Sequence, residues 1–165
     1  MSQTIVHPLA PIADEESRIL ILGTMPSPKS REIGFYYGHP QNRFWRILAT
    51  LFNEPVPHTN EERTDLLHRH GIALWDVLHS CRIEGASDAS IREPMPNDIA
   101  GLLVRFPNIE VIYTTGGTAW KLYQKLCRPN TGRDAIVLPS PSAANAAWNV
   151  EHLAEAYRVI LSQCR

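Results

Sequence analysis

The chain has 165 residues, 44% of them hydrophobic, and a net charge of −1. That length suits one domain around one core, and the charge balance gives no global sign of a nucleic-acid binder. No run of about 18 apolar residues is present, which excludes a transmembrane helix. The opening, MSQTIVHPLAPIADEES, lacks a basic start followed by an apolar core, so no secretory signal is expected. Three cysteines (Cys81, Cys127 and Cys164) are widely spaced and form no CxxC or Cys/His ligand set. Reduced thiols in a cytoplasmic protein are the expectation, with no metal and no other cofactor.

Taken in order, residues 1–17 read as a loosely ordered lead-in to a single domain over 1–165. The apolar run 18–23 predicts a buried parallel strand. A loop rich in Pro, Gly, amides and rings follows, and Asn42–Phe52 has helical spacing of Phe44, Ile47, Leu48 and Leu51. A second helix is predicted over Asn60–His70, with Asn60 as N-cap and Glu61 and Glu62 in its first turn. Gly71–Trp75 predicts a short strand, and 76–96 reads as irregular, with at most one helical turn after Asp76. Pro96-Asn97-Asp98 opens a third helix to about Phe106, and Ile109–Thr115 is a β-branched strand. Gly116-Gly117-Thr118 turns into a helix over Ala119–Leu126. The last strand is Ala135–Leu138, Pro139–Ala147 is a loop, and His152–Cys164 is the closing helix. Strands alternating with helices predict an α/β fold whose parallel sheet is covered on both faces.

In such sheets ligands bind beyond the carboxyl ends of the strands. The segment Gly23–Trp45, GTMPSPKSREIGFYYGHPQNRFW, starts at one of those ends. It carries stackable rings (Phe35, Tyr36, Tyr37), an amide (Asn42), hydroxyls (Ser27, Ser30) and bases (Lys29, Arg31, Arg43), an inventory suited to a flat heterocycle beside a phosphate. Prolines stiffen its first turn. From Gly23 to Arg46 only Glu32 offsets four basic residues, which predicts a basic face for a phosphate backbone. Asn42 has two readings that can coexist: helix N-cap, or an amide that orients a water or a base edge. The second loop, LPSPSAANA over 138–146, offers Ser140 and Ser142 to phosphates. Gly116-Gly117 is a weaker anion site, and tight strand–helix packing explains it better. Asp76, Asp88 and Asp98 read as cap and turn residues. No HExxH or GxSxG pattern is present.

These loops together resemble a known family. Gly34–Trp45, GFYYGHPQNRFW, resembles the segment after the first motif of mismatch-specific uracil/thymine-DNA glycosylases. Val137–Ser142 resembles their second motif and Leu153–Arg158 their last helix. TMPSPKSRE after Gly23, and PSAAN at 141–145, resemble the hypoxanthine-DNA (deoxyinosine) glycosylase branch of the uracil-DNA glycosylase superfamily. The resemblance spans about residues 18–160. It implies a three-layer α/β/α sandwich with a four-stranded parallel sheet in the order 2-1-3-4. It also implies a monomeric, metal-independent monofunctional glycosylase acting on DNA containing deaminated bases, by extruding the nucleotide. Mismatch-specific uracil enzymes place a water-positioning Asn where this chain has Met25, so the resemblance points to Asn42 as the catalytic match, with His39 second. It assigns base binding to Gly23, Thr24, Met25, Tyr37 and Asn145, and DNA phosphates to Ser27, Lys29, Ser30, Ser140 and Ser142. Two other readings follow from the same residues: a uracil- or thymine-preferring glycosylase, or a binding module that kept the pocket and lost the chemistry.

Overall fold

The structure is a computed structural model that describes residues 3–165. Its centre is a four-stranded parallel sheet built from β2 (Ile19–Gly23), β3 (Ile72–Asp76), β6 (Val111–Thr115) and β7 (Ala135–Leu138), in the order β3-β2-β6-β7. Numbered among themselves these strands run 2-1-3-4, as the resemblance implied. Every residue of β2 is buried, because its side chains alternate between two cores. Ile19 and Ile21 join Phe44, Ile47, Leu48, Leu66, Leu67, Leu153 and Tyr157 on one face. Leu20 and Leu22 join Ile99, Leu102, Ile112, Ala119 and Tyr123 on the other. A strand buried on both faces is an unbroken apolar run, which is why 19–22 stood out.

The helices are α1 (Pro28–Ile33), α2 (Phe44–Phe52), α3 (Asn60–Arg69), α4 (Ile99–Arg105), α5 (Gly117–Leu126), α6 (Arg128–Thr131) and α7 (Val150–Tyr157), the last continuing as a 3₁₀ turn to Ser162. Helices α2, α3 and α7 cover the first core, and α4 and α5 the second. The N-cap of α3 is Thr59, not Asn60: Glu62 N–H donates to Thr59 Oγ1 at 3.0 Å, while Asn60 Oδ1 accepts from Arg63. Two adjacent residues able to cap compete, and the extended backbone of Thr59 places its oxygen over the open N–H groups.

Two sequence expectations are overturned. The lead-in is ordered from residue 3 onward, although its first two residues lie outside the described chain. Gln3–Val6 is β1, Ile12 bridges Leu74, and Ala10 C=O accepts the Tyr36 hydroxyl at 2.7 Å. The stretch 76–96, read as irregular, contains β4 (Leu78–Ile83) and β5 (Arg92–Pro96). With β1 they form a second, antiparallel sheet in the order β1-β4-β5. The β1–β4 ladder joins segments far apart in sequence, and the neighbouring strands β4 and β5 pair only through register shifts. Such pairing leaves little local signal, since strand preference depends on neighbours across the sheet.

Glu54, just beyond α2, accepts from Arg69 and His70 at the end of α3. Burial alone would raise its carboxyl, but these two partners outweigh it and hold the group below the usual carboxylate range. A depressed folded-state value contributes stability above the unfolded value, and that stability is lost as pH falls through the folded one. Glu54→Gln is therefore expected to cost about 0.5–1 kcal/mol near neutral pH. The gap to the parent should narrow as pH falls below the ordinary carboxylate range, read by urea unfolding at neutral and at acidic pH.

Candidate active site

Three sheet strands deliver their last residues to one cleft: Gly23 from β2, Asp76 from β3 and Thr115 from β6. Thr24, Met25, Tyr37, Asn42, Ser140 and Ser142 also line it, with Gly85, Ala86 and Asp88 at its mouth. The cleft encloses about 160 Å³, a size for one heterocycle rather than a polymer. The floor requires glycine. A Cβ on Gly23 would lie 2.5 Å from Asp76 Oδ1 and 3.2 Å from the Tyr37 hydroxyl. Gly23→Ala is expected to weaken binding of a deoxyinosine-containing duplex by about 10-fold or more, with binding of an undamaged duplex unchanged, as read by fluorescence anisotropy.

Asp76 is the site residue that sequence reasoning passed over as a turn former. It is only 3% exposed, and its Oδ2 lies 2.7 Å from His7 Nε2. Asn97 fastens the backbone around it, its Nδ2 donating to Asp76 C=O at 2.9 Å and to Leu78 C=O at 3.0 Å. The rule that drew attention to Gly23 applies equally here, since Asp76 directly follows the apolar run 72–75. His7 gave no such signal, because it arrives from β1 across the fold.

Both tyrosines line the cleft, and Tyr36 also belongs to the first core. Tyr36 is core, with Trp45 Nε1 donating to its carbonyl at 3.1 Å. Tyr37 walls the cleft, its ring stacked on Phe44 at 4.0 Å between centroids, and its hydroxyl 3.0 Å from Thr115 Oγ1. It sits at φ +51°, a left-handed conformation that costs energy for a bulky side chain. Burial first, and the charge of Asp76 second, push both phenols up well above their ordinary value, so they stay neutral. Asn42 also lines the cleft, and its Oδ1 accepts Phe44 N–H at 2.9 Å at the start of α2. The N-cap of α2 is Arg43, not Asn42 as the sequence suggested; Asn42 stands one residue earlier, and its oxygen still serves the first N–H of the helix while the residue lines the cleft. His39 is exposed, outside the cleft, with Nδ1 accepting Gln41 N–H.

The remaining predicted residues separate into cleft and scaffold. Gly23, Thr24 and Met25 line the cleft, although the Gly23 and Thr24 carbonyls already accept from Val77 and Leu78 N–H. Ser27 caps α1 at the rim. Ser30 is buried, and its hydroxyl accepts Gly38 N–H at 2.9 Å and meets Ser27 Oγ at 3.1 Å. Ser30 therefore braces the loop while also contributing to the cleft lining. Lys29 lies on α1 outside the cleft, its ammonium 3.6 Å from Glu32. Ser140 and Ser142 line the cleft as expected. Asn145 does not reach it. Its Nδ2 donates to Ser140 C=O at 3.0 Å, and the residue lines a neighbouring groove with Gly116, Gly117 and Trp148.

Two of the four cations expected to form a basic face over 23–46 are turned inward, while Lys29 and Arg46 stay on the surface. Arg31 donates to Pro26 C=O. The Arg43 guanidinium donates to the carbonyls of Pro141, Ser142, Asn145 and Trp148, so it clamps the second loop against the first. A planar cation with five N–H donors satisfies several carbonyls at once, which removes it from solution. None of the three cysteines lines the cleft, and burial pushes Cys127 up to about 11 and Cys164 up to about 12. Among the described residues no group of three or more His, Cys, Asp or Glu is placed to hold a metal ion, and no helix is long and apolar enough to cross a membrane.

A small cleft at the carboxyl edge of a 2-1-3-4 sheet, framed by a tyrosine, an asparagine and a Pro-Ser loop, defines a class. The profile of the Uracil DNA glycosylase superfamily matches residues 10–161, and the chain belongs to that superfamily. Within it the chain is 35% identical over 136 residues to a hypoxanthine DNA glycosylase of Methanosarcina barkeri, covering 82% of this chain and 85% of that protein. It is also 35% identical over 139 residues to a hypoxanthine DNA glycosylase of Methanosarcina acetivorans, covering 84% and 87%. The solution NMR structure of a candidate uracil DNA glycosylase from Methanosarcina acetivorans superposes with a TM-score of 0.78 at 30% identity, covering 97% of this chain and 99% of that one.

Proposed function

We propose that this protein is a monofunctional DNA glycosylase that removes hypoxanthine from deoxyinosine in DNA and leaves an abasic site. The observation that carries this reading is the juxtaposition of Asn42 and Tyr37 in a base-sized cleft, in a chain 35% identical to two hypoxanthine DNA glycosylases. The nucleotide leaves the helix at a cost of a few kcal/mol, least where pairing is already weak, as it is for deoxyinosine. The base stacks beside Tyr37 above Gly23, and Ser27, Ser140 and Ser142 at the rim donate to the flanking phosphates. Lys29, on the outside of α1, meets the phosphate chain further along.

The bond broken is C1′–N9, and its electron pair leaves with the base. The sugar becomes cation-like, and a water oxygen then bonds to C1′. The water loses one proton to solvent and the departing base gains one. Asn42 cannot take that proton, since a carboxamide is not a base at neutral pH. It orients the water instead, with its amide held by the bond to Phe44 N–H. The DNA phosphates stabilise the cation-like sugar electrostatically.

The test is direct chemistry. Incubation with a deoxyinosine duplex should release free hypoxanthine, identified by mass spectrometry, while the strand stays intact until alkali is added. Strand scission without alkali, or release of a nucleoside rather than a base, would contradict a monofunctional glycosylase.

A further inference from the structure

We infer that the His7–Asp76 pair at the floor of the cleft is the group that distinguishes hypoxanthine from the normal purines, with Asp76 Oδ1 accepting the N1–H of the extruded base. This rests on the hypoxanthine reading above and adds the specificity group to it.

The geometry settles which atoms are free. Leu9 N–H donates to His7 Nδ1 at 3.2 Å. That nitrogen is therefore a lone pair, and the ring proton sits on Nε2. Nε2–H donates to Asp76 Oδ2 at 2.7 Å, with side-chain exposures of 2% for His7 and 5% for Asp76. Asp76 Oδ2 is committed. Oδ1 takes no hydrogen bond among the described residues, and it lies over Gly23 beside the Tyr37 hydroxyl, on the lining of the cleft. The carboxylate cannot swing away, because Asn97 fixes its backbone and His7 fixes its other oxygen. The cleft floor thus presents the Asp76 oxygen as its charged acceptor, and Asp88, the other carboxylate of the lining, is exposed at the mouth.

Deamination changes what such an acceptor meets. Adenine carries a lone pair at N1, which a carboxylate repels. Hypoxanthine carries N1–H there, a donor. Guanine also has N1–H, but with a 2-amino group beside it, which asks for a second acceptor. His7 has already taken that second oxygen, so guanine would bury an unpaired amino group, at a real cost. Uracil offers one N–H between two carbonyls, and one of those faces the carboxylate unfavourably. A single oriented acceptor therefore fits hypoxanthine best of the four. A site built around one such bond rejects analogues that lack it far better than shape alone can.

The test uses duplexes bearing hypoxanthine, unsubstituted purine or guanine on a 2′-fluoroarabino sugar, which resists cleavage, so that affinities can be compared. Wild-type protein should bind hypoxanthine about 10–10²-fold more tightly than purine, the value of one bond to a charged acceptor. Asp76→Asn should give its amide oxygen to His7 Nε2–H and turn its NH₂ toward the base. Hypoxanthine should then lose about 10-fold or more while purine holds or gains. His7→Leu should narrow the preference for hypoxanthine over guanine, and an unchanged ratio would remove His7 from the assignment. An equal loss for hypoxanthine and purine in Asp76→Asn would make Asp76 merely structural and overturn the proposal. So would equal binding of hypoxanthine and purine by the wild type, a comparison that needs no variant to fold. Failure of wild-type protein to excise hypoxanthine from an ordinary deoxyinosine duplex would instead overturn the reading on which this one rests.

Discussion

Replacing Asn42 with alanine is expected to slow single-turnover excision of hypoxanthine by about 10²-fold or more, the size of losing one aligned hydrogen-bonding group at a reacting centre. The loss should fall on the chemical step, with binding of the deoxyinosine duplex little changed. Alanine also removes the bond to Phe44 N–H at the start of α2, and a lost helix-start bond costs about 1 kcal/mol of stability. Asn42→Asp separates the two effects. A carboxylate keeps an oxygen for Phe44 N–H, so melting should return to near the parent value. It replaces the amide by a charged, acceptor-only group, so any change in rate belongs to the cleft. Parent-like rates in Asn42→Ala with normal DNA binding would remove Asn42 from the chemistry.

Arg43→Ala is expected to be the most damaging substitution outside the cleft. One guanidinium holds four carbonyls of the loop 141–148. Each bond to a charged donor is worth about 1.5–3 kcal/mol and the set is not additive. A loss of about 2–4 kcal/mol in unfolding free energy is the expected result. Affinity for DNA should fall as well, because Ser140 and Ser142 lose the clamp that fixes their loop. Arg43→Lys should recover little, since an ammonium on a flexible stem cannot reach four carbonyls. Guanidinium-chloride melts of the three proteins, run alongside anisotropy titrations, check both parts. A full rescue by lysine would show that the charge matters and the fork does not.

What could be read in the sequence follows the range of the forces involved. The strands 19–23 and 72–76 were legible because burial on both faces writes an apolar run, and 111–115 because its residues are largely β-branched. The helix at 44–52 was legible because its buried side recurs at helical spacing. The cleft was legible as far as a local loop could show it: Gly23, Tyr37, Asn42, Ser140 and Ser142 all line it. The errors came from partners that a linear pattern does not reveal, some five residues away and some across the fold. Arg43 and Arg31 looked like phosphate binders until the carbonyls they serve were in view. Asn145 seemed free to read a base until Ser140 took its amide. His7 and Asp76 are 69 residues apart, and only the packing of β1 against β4 brings them together. In the second sheet β1 reaches β4 from the far end of the chain, and the local β4–β5 ladder is broken by register shifts that blur its alternation.

The central claim is that the cleft excises hypoxanthine, and single-turnover kinetics with protein in excess tests it most directly. Labelled duplexes would carry deoxyinosine, deoxyuridine or thymine opposite each normal base, with abasic sites revealed by alkali. The account predicts cleavage mainly at deoxyinosine, slower cleavage at deoxyuridine, and loss of both in Asn42→Ala. Deoxyuridine cleaved faster than deoxyinosine, or no cleavage of any duplex with DNA binding intact, would contradict it.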